Sequence, residues 1–184
     1  MSSIDTAFNF YSKHIYNQEK MNLLRQHGLP IAGSVPSVSW ELFGALLTGR
    51  DGTGAIGADL QGWEVKSASG SGSYEYQYHL NTGMVKLTED CSVNHLFCSY
   101  SNEYKNVTVK VIEGSELANK YFKKWIPEYV SNYANKNDAL RRQRFRKSIP
   151  FAFVQLNGTP ILEIDNAILT FRDDHQIDRF NERT

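Results

Sequence analysis

Gly57-Ala58-Asp59-Leu60-Gln61-Gly62-Trp63-Glu64-Val65-Lys66 is the stretch on which the reading of this chain turns. In a strand, residues two apart point to the same side. Glu64 and Lys66 therefore project together, while Val65 faces the other way into a core. Gln61-Gly62 permits a sharp bend, which can bring Asp59 back beside Glu64. The result is two carboxylates and one ammonium in one small space. Such a set suits phosphodiester hydrolysis. Two carboxylate oxygens and a phosphate oxygen can hold Mg²⁺, which acidifies a bound water and stabilises the charge growing on phosphorus. Lys66 can hydrogen-bond the attacking water or the phosphate. Desolvation would lower its pKa and acidic neighbours would hold it up, and the sequence leaves both open.

Working outward, glycines at 52, 54, 57 and 62 surround this stretch, and residues 55–60 and 63–68 read as short strands. Upstream, a helix is expected over 37–48, with Ser37 as N-cap and Gly49 as its stop. Before it, apolar residues at helical spacing predict a helix over 4–27, ended by Gly28 and Pro30. Downstream, 74–80, 93–100 and 107–112 read as strands. Ser115 is expected to cap a helix over 116–133, kinked or split at Pro127. Asp138 can cap a short basic helix through Lys147. Apolar strands over 151–156 and 160–171 follow, the second interrupted near Asn166. The polar end, 172–184, is expected to be mobile or partner-bound. Helices at both ends of a run of strands predict an α/β (α+β) domain with a mixed central sheet flanked by helices. The close spacing of the central strands favours an antiparallel meander among them.

The length of 184 residues suits one domain spanning 1–184. Hydrophobic residues at 41% and charged residues at 22% predict a globular core. No apolar run is long enough to cross a membrane, and residues 1–9 lack the features of a signal peptide. A cytoplasmic location is therefore the expectation. Cys91 and Cys98 are too few for a disulfide scaffold. The formal net charge is zero. A protein that grips a long DNA stretch alone usually carries net positive charge, so a nuclease of this composition would draw part of its DNA affinity from a partner.

The segment resembles the PD-(D/E)XK nuclease superfamily. Asp59, a gap of four residues, and Glu64-Val65-Lys66 match its acidic and acidic-X-Lys elements. Ala58 stands where a proline often precedes the first acid. The compact gap is similar to that of MvaI-like restriction enzymes and close to the mismatch-repair nickase MutH. Those relatives place a glutamate from a preceding helix at the site, and Glu41 in Ser39-Trp40-Glu41-Leu42-Phe43 is the residue that matches. The resemblance covers residues 37–80 in motif detail. It implies a restriction-endonuclease-like fold and a Mg²⁺-dependent cut. Asp59 and Glu64 would be metal ligands, Lys66 the cation that orients water and phosphate, and Glu41 an accessory acid. The products would carry a 5′-phosphate and a 3′-hydroxyl.

Other residues have competing readings. Glu64 and Lys66 alone would pass for a solvated charge pair. Glu41 alone would be the polar edge of an amphipathic helix. Asp51 in Gly49-Arg50-Asp51-Gly52 is an alternative first acid, or an ordinary turn aspartate. Gln77 and His79 share one strand face and would line the cleft if their strand pairs with that of Lys66; otherwise they form a polar face behind an aromatic core side. Cys91, His95 and Cys98 have spacing possible for zinc, but no fourth ligand is evident and the strand alternation favours core positions. In residues 140–147 five of eight are basic: Arg141, Arg142, Arg144, Arg146 and Lys147. They are expected to contact DNA phosphates, or else to form a solvated helix face or a protein interface.

No helix-turn-helix or zinc finger is recognisable. One active site cuts one strand, so cutting a duplex needs a second copy or a different catalytic partner. With the neutral charge, this resembles the small catalytic subunit of a heterodimeric type IIS restriction endonuclease, whose larger partner recognises double-stranded DNA and nicks the other strand. The alternatives are a self-sufficient homodimeric restriction enzyme or MutH-like nickase, a non-catalytic DNA-binding or interaction subunit, and, more distantly, a hydrolase of a phosphorylated small molecule.

Overall fold

The computed structural model describes residues 2–54, 57–134 and 144–183. Helix α1, Ser3–Phe10, opens on a capping box: the Ser2 hydroxyl accepts the Asp5 N–H and the Asp5 carboxylate accepts the Ser2 N–H. It continues as a wide turn over Tyr11–Ile15 and ends at Tyr16. Asn17 then caps α2, Gln18–Gln26, by accepting the Lys20 N–H. The single helix expected over 4–27 is thus two, because the amide of Asn17 starts a new one. Helix α3, Ser37–Thr48, ends at Gly49 in the left-handed conformation. Its first residue is Ser37 itself, and the cap position falls to Pro36, which offers no side-chain acceptor.

The rest of the chain is β1 (Trp63–Ser69), β2 (Tyr74–His79), α4 (Gly83–Glu89), β3 (Asn94–Tyr100), β4 (Val107–Glu113), α5 (Gly114–Leu117), a wide turn (Ala118–Phe122), α6 (Lys123–Ala134), β5 (Arg144–Ile149), α7 (Phe151–Asn157), β6 (Thr159–Asp165), β7 (Ile168–Arg172) and α8 (Asp174–Asn181). Among the described residues, five strands form one sheet in the order β1-β3-β4-β6-β7, and β2 with β5 forms a separate ribbon. β1 runs parallel to β3, and the other pairs are antiparallel. The fold is therefore α+β with a mixed sheet. The expected antiparallel meander forms only in part: β3 and β4 pair as consecutive antiparallel strands, but β2 leaves the main sheet to pair with β5.

Strand alternation divides the core into two layers. On one face Trp63 and Val65 of β1 and Leu96 and Cys98 of β3 pack with α1, α3 and α8. On the other, Ala68, Phe97 and Ile112 pack with the β2 tyrosines and the α5–α6 segment.

Several expected elements differ. Residues 57–60 are not a strand: Leu60 makes only isolated bridges, to Gly52 and Trp63. Residues 55 and 56 lie outside the described set. Residues 144–147 belong to β5 and not to a basic helix, because Phe145 and Ile149 alternate inward against the tyrosines of β2. Residues 151–156 form α7, with Val154 buried; a short apolar run has no periodicity to separate strand from helix. The helical segment after β4 begins at Gly114, without a side-chain cap from Ser115. Pro127 sits inside α6, and the irregularity lies upstream at Ala118–Phe122. The C-terminal end is ordered as α8, capped by Asp173, with Ile177 and Phe180 buried at helical spacing. No helix among the described residues is long and apolar enough to cross a membrane.

Candidate functional site

Among the described residues β1 is an edge strand of the main sheet, with β3 as its only strand partner. At Gln61-Gly62 the chain folds back: Leu60 N–H donates to Trp63 O at 2.9 Å, and Trp63 N–H returns to Leu60 O at 3.0 Å. This turn lays Asp59 along the free edge. Asp59 Oδ2 accepts the Val65 N–H at 2.9 Å, and the Asp59 N–H donates to Glu64 Oε2 at 3.2 Å. Val65 points into the core under α3. Gly44 sets how closely that helix lies, since a Cβ there would stand 2.8 Å from Val65 Cγ2. The close approach brings Glu41 of α3 to the same cleft as Asp59, Glu64 and Lys66.

Glu64 is fully buried, and both its oxygens carry cations. Lys66 Nζ lies 2.5 Å from Oε1 and Lys86 Nζ lies 2.8 Å from Oε2. Lys86 was not anticipated from the sequence. It projects from α4 and also donates to Gly57 O at 2.8 Å. On the same helix, Glu89 Oε2 accepts the Ala58 N–H at 2.9 Å. Gly57 has φ 108°, and a Cβ there would fall 2.3 Å from Glu89 Oε2, so only glycine lets the Asp59 loop seat on α4. Seven residues between turn signals leave too short a pattern for helix recognition, which is why α4 and its lysine escaped notice.

The electrostatics follow from this burial. Desolvation alone would raise the Glu64 carboxyl, but Lys66 and Lys86 overcome it and hold it below the usual glutamate range. Desolvation would likewise lower Lys66, but Glu64 and Asp59 hold it above the ordinary lysine value, so it is a cation and not a base. Burial, then the charge of Glu64, raises Asp59. Burial, then the charge of Asp59, raises Glu41. With Glu75 at its rim, the cleft thus holds four carboxyl groups against two ammoniums.

Behind Lys66 stands a polar chain inside the second core. Lys66 Nζ lies 4.8 Å from the centre of the Tyr76 ring, a cation–π contact. The Tyr76 hydroxyl donates to His95 Nδ1 at 2.9 Å, and His95 Nε2–H donates to Asp90 O at 2.8 Å. Tyr78 donates to Asp90 Oδ2 at 2.7 Å, and Asp90 Oδ1 has no partner among the described residues. Both His95 nitrogens are engaged, and Cys98 lies on the opposite face of β3, packed in the other core. His95 and Cys98 are core residues here and do not converge on a metal.

The remaining candidates separate. Asp51 is exposed; its main-chain oxygen accepts the Gln61 N–H at 2.9 Å, and it does not line the cleft. Gln77 lines the cleft, joined by Glu75, which was not anticipated. β2 pairs with β5 and not with β1, and His79, at its far end, is exposed and outside the cleft lining. Arg144 and Arg146 are exposed on β5, whereas Lys147 turns toward α6 and pairs with Glu128. Arg141 and Arg142 lie outside the described residues.

Compared with protein-family models and with curated proteins, the chain matches none.

Proposed function

We propose that the chain is the catalytic subunit of a Mg²⁺-dependent DNA endonuclease of the PD-(D/E)XK type, hydrolysing one strand alongside a larger DNA-recognising partner. One observation carries this reading: Lys66 Nζ bonds Glu64 Oε1, the main-chain N–H of Asp59 donates to Glu64 Oε2 at 3.2 Å, and all three side chains line one polar cleft of 320 Å³. The donor set is of the type a hard divalent cation takes, although among the described residues no three acidic, histidine or cysteine side chains already converge as a metal site, so Asp59, Glu64 and Glu41 would close on the ion as it binds. The set is made of carboxylate oxygens, and its negative charge exceeds that of the two ammoniums beside it. Both Glu64 oxygens carry ammoniums, so a cation shared by Asp59 and Glu64 would replace one of them.

Asp59 and Glu64, with Glu41 as accessory acid, would hold the metal. When bound, Mg²⁺ supplies Lewis acidity toward the phosphate and a water. Lys66 stays protonated, fixed by Glu64 and the Tyr76 face, and donates to a non-bridging phosphate oxygen or orients the attacking water. Lys86 anchors Glu64 and the Gly57 carbonyl, which keeps the Asp59 loop in place. The neutral net charge supports a partner that supplies DNA affinity.

The test is cleavage of plasmid DNA in Mg²⁺ by the chain, alone and purified with its native partner. Lys66→Ala and Glu64→Gln should each slow cleavage by the complex about 10²–10³-fold with the fold intact. Undiminished cleavage by both variants would make the chain a non-catalytic subunit. Site-specific cutting by the isolated chain would make it a self-sufficient enzyme.

A further inference from the structure

The ribbon of β2 and β5 has two unlike faces. Tyr74, Tyr76, Tyr78, Phe145 and Ile149 are buried on one. The register pairs His79 with Arg144, Gln77 with Arg146 and Glu75 with Ser148, and all six point the other way. Apart from the partly buried Gln77, these residues are exposed. Two arginines, a histidine, a glutamine and a serine thus share one surface with a single carboxylate, on a chain of zero net charge. The strip is continuous with the cleft, because Gln77 and Glu75 also line it together with Glu41 and Asp59. Among the described residues the ion pair on it, Arg146 with Glu75 at 3.8 Å, joins groups about half exposed and holds Arg146 weakly.

We propose that this outward face is a duplex-DNA docking surface, lying in the major groove beside the phosphate to be cut. Arg146 and Gln77 would face base edges, and Arg144 would meet a phosphate. The inference deepens the nuclease reading and rests on it for the position of the cut. Three physical points favour a duplex as occupant. The charge is complementary to a polyphosphate and increases away from the acidic cleft. A two-stranded ribbon fits the major groove, roughly 12 Å wide, and not the narrower minor groove. Residues two apart on a strand are about 6.8 Å apart, close to two base-pair steps, so Arg144 and Arg146 would stay in register with the stacked bases. Arginine and glutamine are also the side chains that read guanine and adenine through paired hydrogen bonds.

The test is fluorescence anisotropy of a labelled 30-base-pair duplex of mixed sequence, titrated with the full chain in Ca²⁺ from 20 to 200 mM salt. Arg144→Ala with Arg146→Ala should weaken binding roughly ten-fold and flatten the plot of log affinity against log salt by about 1, the phosphate contact of Arg144. Gln77→Ala should leave that slope unchanged and alter which sequences are retained from a randomised duplex pool. Thermal unfolding of each variant controls for folding. Unchanged affinity and slope in the double arginine variant would overturn the proposal. So would the absence of any salt-sensitive binding by the wild-type chain, or loss of a protein partner with DNA binding intact. The two readings fail separately. If the ribbon variants bind normally while Lys66→Ala stops cleavage, the docking surface falls and the nuclease stands. If Lys66→Ala and Glu64→Gln cut normally while the ribbon variants lose DNA, the reverse holds.

Discussion

His95 and Asp90 show how individual buried groups set the response to pH. Burial lowers His95 to about 4, so it is neutral in the fold. Below the ordinary histidine value the unfolded chain takes up a proton that the folded chain refuses, and stability falls between about pH 6.5 and 4. Asp90 has the opposite sign. Burial, then the charge of Glu64, raises its carboxyl to about 7. The fold then binds a proton that the unfolded chain has lost, and stability rises as pH falls from about 7 toward 4. The two slopes oppose each other, so wild-type stability should vary little across this window on their account. Asp90→Asn keeps an acceptor for Tyr78 and removes one slope. Thermal melts of that variant should lose stability from pH 6.5 to 4 by about 1–3 kcal/mol more than the wild type. A variant whose pH profile tracks the wild type would refute this opposition. Glu64 adds a separate effect: its carboxyl is held low by two ammoniums, so its contribution is present above the ordinary glutamate value and is lost as pH falls below it.

At the scale of elements, α4 matters more than its seven residues suggest. Leu87 anchors it in the second core, fully buried. Lys86 and Glu89, on its other side, reach across to Glu64, Gly57 and Ala58. Leu87→Ala should destabilise the protein by about 2–4 kcal/mol. Because the helix also seats the Asp59 loop, the proposed cleavage activity should fall by more than the folded fraction predicts, measured at a temperature where the variant remains folded. A loss of activity no larger than the loss of folded protein would show that α4 only packs. α3 is the counterpart from the other core, where Gly44 allows Glu41 to reach the cleft.

For the molecule as a whole, the site lies where one edge of the mixed sheet meets helices from both layers. α3 delivers Glu41 from the first core and α4 delivers Lys86 from the second. A divalent cation that binds this convergence in the folded state alone must stabilise the whole fold. Ca²⁺ or Mg²⁺ at about one hundred times its dissociation constant should add about 2.7 kcal/mol, seen as a rise in Tm. Asp59→Asn should abolish most of that rise. An equal rise in the variant would place the metal elsewhere.

The alternation of Glu64, Val65 and Lys66, the bend at Gln61-Gly62 and the stop at Gly49 depend on near neighbours along the chain. Period-two geometry and glycine freedom act over a few residues, so strand β1, helix α3 and the return of Asp59 were legible in the sequence. So were most of the strands and the mixed α+β class. Lys86 could not be read in this way, because it meets Glu64 across 22 residues through a helix too short to leave a pattern. Arg144 and Arg146 looked helical by charge, but a distant strand with three inward tyrosines drew them into a ribbon. The polar C-terminal end is ordered because Ile177 and Phe180 find the first core already assembled. Local periodicity thus determined which segments are extended or helical and where the carboxylates cluster. Long-range burial decided which strand pairs with which, and so which cations complete the site.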